Sequence, residues 1–92
     1  QEYIENKGKA AAQSMAGIFA AKEALTKALG TGLSGGSIQD ICVLHDKCGA
    51  PYYDLRGAFA QHASQRHITS LHLSISHDGG VAVAFAIAER NV

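Results

Sequence analysis

The sequence predicts an α+β fold, with helices packed on a mostly antiparallel sheet, and three observations carry that prediction. Residues 10–29 form an alanine-rich, strongly helix-forming run that stops at Gly30. Leu71, Leu73 and Ile75 alternate with His72, Ser74 and Ser76, the period of two that a strand with distinct faces requires. After the tight turn Asp78-Gly-Gly80, Val81, Val83, Phe85 and Ile87 alternate with four alanines.

Taken in order, Gln1 to Lys9 reads as a weak helix with Tyr3, Ile4 and Lys7 along one side, interrupted at Gly8. The strong helix follows from Ala10 to Leu29, with Gly17 as a tolerable interruption or a short break between two helices. Its core stripe at helical spacing is Ile18, Ala21, Leu25, Ala28 and Leu29. Leu33 to Ser37 is loop by composition. Ile38 to Asp46 reads as a strand with Ile41, Val43 and His45 on one face, and Asp40 and Asp46 solvated. Lys47 to Pro51 is turn material, and Tyr52 to Leu55 returns as the second strand of a hairpin. Gly57 opens a helix over Ala58 to Arg66, with Phe59, Ala60 and Ala63 toward the core. In the last hairpin His77 begins the turn. Large residues on one face of the final strand and alanines on the other predict that both faces are covered, one by the chain's own helices, the other by a neighbouring subunit or second layer.

Composition narrows the function classes. The 92 residues make one domain over 1–92 with a modest core, so added burial by self-association is plausible. Formal net charge is zero, which gives no reason to expect a nucleic-acid or membrane-surface protein. No run reaches transmembrane length, and Gln1 to Lys7 lacks the basic and apolar regions of a secretory signal. Two cysteines are not a disulfide framework, so the expected compartment is the reducing cytoplasm.

Glu23 and Lys27 are the first candidates for chemistry. One turn apart, they share a helix face with Ala12, Ala16 and Ala20 rather than with further charges. One reading is a surface ion pair, acid before base, contributing about 0.3–0.5 kcal/mol. The other is a site, because a bare strip lets a ligand come close, and the Gly30-Thr31-Gly32 exit offers a left-handed helix stop and close backbone approach. The second candidate is His72 to His77. A serine-hydrolase reading fails there, since adjacent Ser76, His77 and Asp78 cannot point at one another. The third is Cys42, His45 and Cys48, zinc-like in letters, but strand parity sends Cys42 and His45 to opposite faces and no fourth ligand stands out.

Phe19-Ala-Ala-Lys-Glu-Ala24 with Lys27-Ala-Leu-Gly-Thr-Gly32, followed by His72-Leu-Ser-Ile-Ser-His77, resembles the signature of holo-acyl-carrier-protein synthases, the small 4′-phosphopantetheinyl transferases. Gly49-Ala-Pro51, Leu55, Gly57 and Ala63 fall between the blocks where that family has a glycine-basic-proline turn and a short helix. The resemblance implies magnesium-dependent transfer of 4′-phosphopantetheine from coenzyme A to a serine of an acyl carrier protein, releasing adenosine 3′,5′-bisphosphate. It implies a homotrimer with sites at subunit boundaries. It makes Glu23 the metal ligand and Lys27 a phosphate contact, with Gly30, Thr31, Gly32, Ser76 and His77 near the coenzyme. Magnesium commonly uses one or two protein carboxylates plus phosphates and waters, so Glu23 alone would make a weak site.

Three departures qualify the resemblance. No Gly-x-Asp strand, the source of the family's other metal ligand, precedes the helix, so a segment upstream of Gln1 supplies it or the chain lacks it. Ile18 stands where the family often has arginine, and Ala50 where its turn has a basic residue. Two alternatives follow: a non-catalytic relative or fragment acting as an oligomeric scaffold with weak coenzyme A binding, and, more remotely, a zinc-binding interaction module.

Overall fold

The computed structural model describes the backbone of residues 2–90 and the side chains of residues 15–90. Tyr3, Ile4, Lys7 and Ala12, assigned to helix faces from the sequence, fall outside the described side chains. The chain runs α1 (Glu2–Leu29), two short 3-10 turns (Leu33–Gly35 and Ile38–Asp40), β1 (Ile41–His45), β2 (Pro51–Leu55), α2 (Gly57–Gln65), β3 (Ile68–Asp78) and β4 (Val81–Arg90). The α+β prediction holds, but the strands form two separate antiparallel hairpins, β1–β2 and β3–β4, rather than one sheet.

Helix α1 is continuous through Gly8 and Gly17, which corrects the expected interruption. Neither glycine carries a side chain to pack, yet a helix interior tolerates one at a cost of roughly 1 kcal/mol. The helix ends by backbone chemistry. Gly30 takes φ 78°, its N–H donates to the Lys27 carbonyl at 3.1 Å, and the Thr31 N–H donates to the Thr26 carbonyl at 3.0 Å. That pair of bonds satisfies carbonyls the last turn leaves open.

In the first hairpin Ile41 pairs with Leu55 and His45 with Pro51. Its loop is held by Asp46, whose Oδ1 accepts from the N–H groups of Cys48 and Ala50, both at 2.9 Å. Asp46 is therefore a turn organiser rather than merely solvated. Asp40 is half-buried, and its carbonyl accepts from the Arg56 N–H at 2.9 Å. Residues 38–40 turn instead of extending, so the strand begins at Ile41.

The second hairpin closes on Gly79 and Gly80, with φ 56° and 82°, as a two-residue turn matched to strand twist needs. His77 is thus inside β3 and does not begin the turn. Leu71, Leu73 and Ile75 pair with Ala88, Ala86 and Ala84, and this half-buried face packs under α1. The opposite face of β4 carries the large residues into the open: Val81 is 61% exposed, Phe85 67% and Ile87 59%. The alanine face is the inner one because a helix can lie close upon it.

Leu25, Leu29, Ile41 and Phe59 are the buried centre, flanked by Ile38, Tyr53, Leu55, Ala63, Ile68 and Leu71. Ala21 and Thr26 are also buried, whereas Ala28, assigned to the core stripe from helical spacing, is exposed. Phe59 and Ala63 meet the core as expected, and Ala60 is half-buried.

Candidate functional site

Helix α1 crosses the alanine face of β3–β4 and leaves an open recess on each flank. The flank toward β4 is a groove of about 530 Å³. Ala20, Glu23, Ala24, Lys27 and Ala28 form one wall, and residues 82–86 of β4 form the other. Both walls are mostly alanine, so the groove exists because little side chain fills it. Glu23 is half-buried in it and Lys27 is exposed.

The ion-pair reading of these two residues is not what the geometry gives. Among the described residues the salt bridges are Arg56–Asp54 and His72–Glu89, and neither Glu23 nor Lys27 takes part in one. The backbone beneath them is held firmly. Thr26, 2% exposed, donates its hydroxyl to the Glu23 carbonyl at 2.8 Å, and the Thr26 carbonyl accepts from Thr31 and Gly32.

Gly30, Thr31 and Gly32 follow directly on the Lys27–Ala28 end of the groove without lining it. Thr31 Oγ1 donates to the Gly32 carbonyl at 3.0 Å, which keeps this exit turned in on itself. Gly32, with φ 65°, has open space where a Cβ would stand.

The other flank of α1 holds a cavity of about 220 Å³, lined by Gly17, Ile18, His45, Gly49, Pro51, Ile75 and His77. It brings the second sequence block together with the glycine-proline turn and with Ile18. Ser76 does not join it. Strand parity sends Ser76 to the outer face, opposite Val83, while His77 lies on the inner face opposite Ala82. The two residues, both expected near the coenzyme, are therefore divided between the faces of one strand. Within one chain His77 and the Glu23–Lys27 pair open on opposite flanks of α1.

Among the described residues no three histidine, cysteine, aspartate or glutamate side chains gather as a metal site. Cys42 Sγ points to the Gln39 carbonyl at 3.8 Å, and Cys48 is exposed in the loop. Glu23 is the carboxylate of its groove, a partial fit to a hard cation that takes its remaining oxygens from phosphates and water.

Sequence reasoning left His62 unplaced. The structure puts its Nε2 2.8 Å from the Gly35 carbonyl, with its ring edge-on to Phe59. The available signal was its place three residues after Phe59 and four before Arg66, on one face of a short helix.

Comparison with known proteins adds the following. The family model of the 4′-phosphopantetheinyl transferase superfamily matches residues 1–86. The holo-[acyl-carrier-protein] synthase of Treponema denticola is 46% identical over 88 residues, covering 96% of this chain and 72% of that protein. The synthase of Clavibacter michiganensis is 51% identical over 78 residues, 85% of this chain and 65% of that one. Among solved structures, Helicobacter pylori holo-[acyl-carrier-protein] synthase in complex with coenzyme A superposes with a TM-score of 0.74 at 37% identity. That match covers 84% of this chain and 65% of the other. The chain thus spans about two-thirds of the length of these relatives.

Proposed function

Because the chain belongs to the 4′-phosphopantetheinyl transferase superfamily, we propose that its protein transfers 4′-phosphopantetheine from coenzyme A to a serine of an acyl carrier protein. The observation that carries this reading is the groove: a carboxylate and an amine one turn apart, in no ion pair among the described residues, between two alanine walls. Such a groove admits a diphosphate against the backbone and meets it with one cation and one oxygen ligand.

In this reading Lys27 places its ammonium on the diphosphate as a point charge. Glu23 holds magnesium, which when bound supplies charge neutralisation for the phosphates. The serine oxygen of the carrier protein attacks the phosphorus that bears the pantetheine. The bond from that phosphorus to the bridging oxygen breaks, and adenosine 3′,5′-bisphosphate leaves with the electron pair. The serine proton passes to Glu23, directly or through one water. The chain's contribution is placement and preorganised charge rather than covalent chemistry.

We also propose that the working form is a homotrimer with its sites between protomers. Two features support it. The outer face of β4 presents Val81, Val83, Phe85 and Ile87 as one exposed apolar stripe. The flank that holds His77 and the flank that holds Glu23 cannot serve one small ligand within a single chain, whereas His77 of one copy can face Glu23 of another. His77, Gly49 and Pro51 would then hold the nucleotide end of coenzyme A. Ser76, on the outer face, would touch it only from the neighbouring copy's side.

The test is mass gain on an apo carrier protein, with and without magnesium, using full-length protein. Wild type should add one phosphopantetheine per carrier. Glu23→Gln should lose at least about a hundredfold in rate, the scale of one general base, with an unchanged unfolding midpoint. Normal labelling by that variant would remove Glu23 from the mechanism. A protein that trimerises and binds coenzyme A but never labels the carrier would be a scaffold instead.

A further inference from the structure

We propose that His62 is a positioning residue for the coenzyme, acting through the Gly30–Gly36 segment; this rests on the reading of Glu23 and Lys27 given above. His62 lies on α2, away from the groove, and nothing in the reaction needs its imidazole. Its bonds nevertheless lead to the groove.

The tautomer follows from its partners. Arg66 Nη1, which can only donate, lies 3.3 Å from Nδ1, so Nδ1 accepts and Nε2 carries the proton. Nε2 then donates to the Gly35 carbonyl at 2.8 Å. The Gly35 N–H donates to the Gly32 carbonyl at 3.3 Å, and the Gly32 N–H to the Thr26 carbonyl at 3.3 Å. Thr26 closes the path through its hydroxyl on the Glu23 carbonyl. Hydrogen bonds joined through the backbone of Gly35, Gly32 and Thr26 therefore link α2 to the turn of α1 that bears Glu23 and Lys27.

Packing reinforces the path. A Cβ on Gly35 would come within 2.6 Å of Thr31 Cβ and 3.3 Å of Phe59, and one on Gly36 within 2.8 Å of Ala58 Cβ. The loop is pressed onto the start of α2, with Phe59 beneath it and His62 fastening it. Glycines at 35 and 36 permit that approach, and they also leave the segment without side chains to hold it. Without His62 the Gly35 carbonyl loses its fixed donor, and the loop keeps its packing on Phe59 and the hydrogen bonds of Thr31 and Gly32 to the Thr26 carbonyl.

The test compares wild type, His62→Ala and His62→Gln by amide hydrogen exchange and by steady-state kinetics with coenzyme A. In His62→Ala the amides of residues 31–36 should exchange about three- to tenfold faster, the factor an ordinary hydrogen bond of modest net strength gives. Amides of β3 and β4 should keep wild-type rates. KM for coenzyme A should rise by a similar factor with kcat held. His62→Gln, whose amide can donate to the same carbonyl, should restore both. Loop exchange that is unchanged, or faster uniformly across the chain, overturns the fastening. Fast loop exchange with an unchanged KM overturns the positioning role. If wild type itself shows no affinity for coenzyme A, the groove reading falls and the positioning role with it, an outcome visible before any His62 variant is measured.

Discussion

Replacing Gly17 by alanine separates what α1 does for stability from what it does for the site. Gly17 is buried where α1 presses on β3. A Cβ there would stand 3.1 Å from Ile75 Cγ2 and 3.3 Å from His77 Cε1 and Nε2. Ordinary contact begins near 3.4 Å, so both neighbours must yield by a few tenths of an ångström. Against that, glycine to alanine inside a helix gains about 0.8–1.0 kcal/mol. Overpacking a well-filled core costs about 1–3 kcal/mol, and the low end applies because Ile75 is only half-buried and His77 is exposed at the mouth of the cavity. The two terms nearly cancel. Thermal unfolding should place Gly17→Ala within about 0.5 kcal/mol of wild type, a shift in Tm of less than about 4 °C. The site has no such compensation. The displaced imidazole lines the cavity assigned to the nucleotide end of coenzyme A, and misplacement there lowers affinity steeply. Coenzyme A titration should show binding weakened about three- to fivefold. A variant stabilised by the full helix gain, with coenzyme binding untouched, would refute the claim that Gly17 makes room for His77. Destabilisation beyond about 2 kcal/mol would refute the described packing of α1 on β3.

Two further outcomes follow from single residues. Burial pushes the Tyr53 phenol from 10.0 up to about 12, and its hydroxyl donates to the Ala21 carbonyl. The folded chain thus keeps a proton that the unfolded chain releases. Stability attributable to this group is intact below pH 10 and falls as pH rises from 10 to 12. The ring is only half-buried, so the loss should be about 1–2 kcal/mol after screening. Denaturant titrations at pH 9 and above should show Tyr53→Phe flattening that slope while costing about 1 kcal/mol at neutral pH; an unaltered slope would assign it to another group. On the outer face of β4, Phe85→Asp should leave the monomer's unfolding midpoint near that of wild type, because Phe85 is 67% exposed. The same change should dissociate the proposed trimer in sedimentation, and a trimer that survives it would move the interface elsewhere.

Much of the fold was legible because local and tertiary preferences agree. The Gly30 stop, the Phe59 helix and the alternation of β3 and β4 each follow from residues that are favourable both in their element and in the core. The errors fall where the two levels part. Ile38 to Asp40 looks extended by side chain, but Asp40 must accept from Arg56 across the hairpin base, and a Cβ on Gly57, with φ 55°, would meet Asp40 Oδ2 at 2.4 Å. Helical spacing placed Ala28 inward because alanine is indifferent to either side. In β4 the alternation of large residues and alanines left open which face is inner. The alanine face is, since its partner is a helix whose own near wall is Ala20, Ala24 and Ala28.

The candidate site's geometry was legible to the extent that it is local. Glu23 and Lys27 are neighbours through helix geometry, and any reading of a 3.6-residue repeat finds them. Ser76 and His77 are neighbours in sequence but part on a strand, because successive residues face opposite ways. For His62 the sequence offers the helical spacing to Phe59 and Arg66 but not its partner, a carbonyl 27 residues earlier. The same reasoning explains why one chain holds two incomplete recesses. A helix laid across a two-stranded hairpin covers the middle of the sheet and leaves both flanks open, so residues on opposite sides of the helix face apart by construction. In the proposed assembly a second copy would bring its His77 to Glu23 without bending α1, and the exposed apolar stripe of β4 is the surface proposed to seat it.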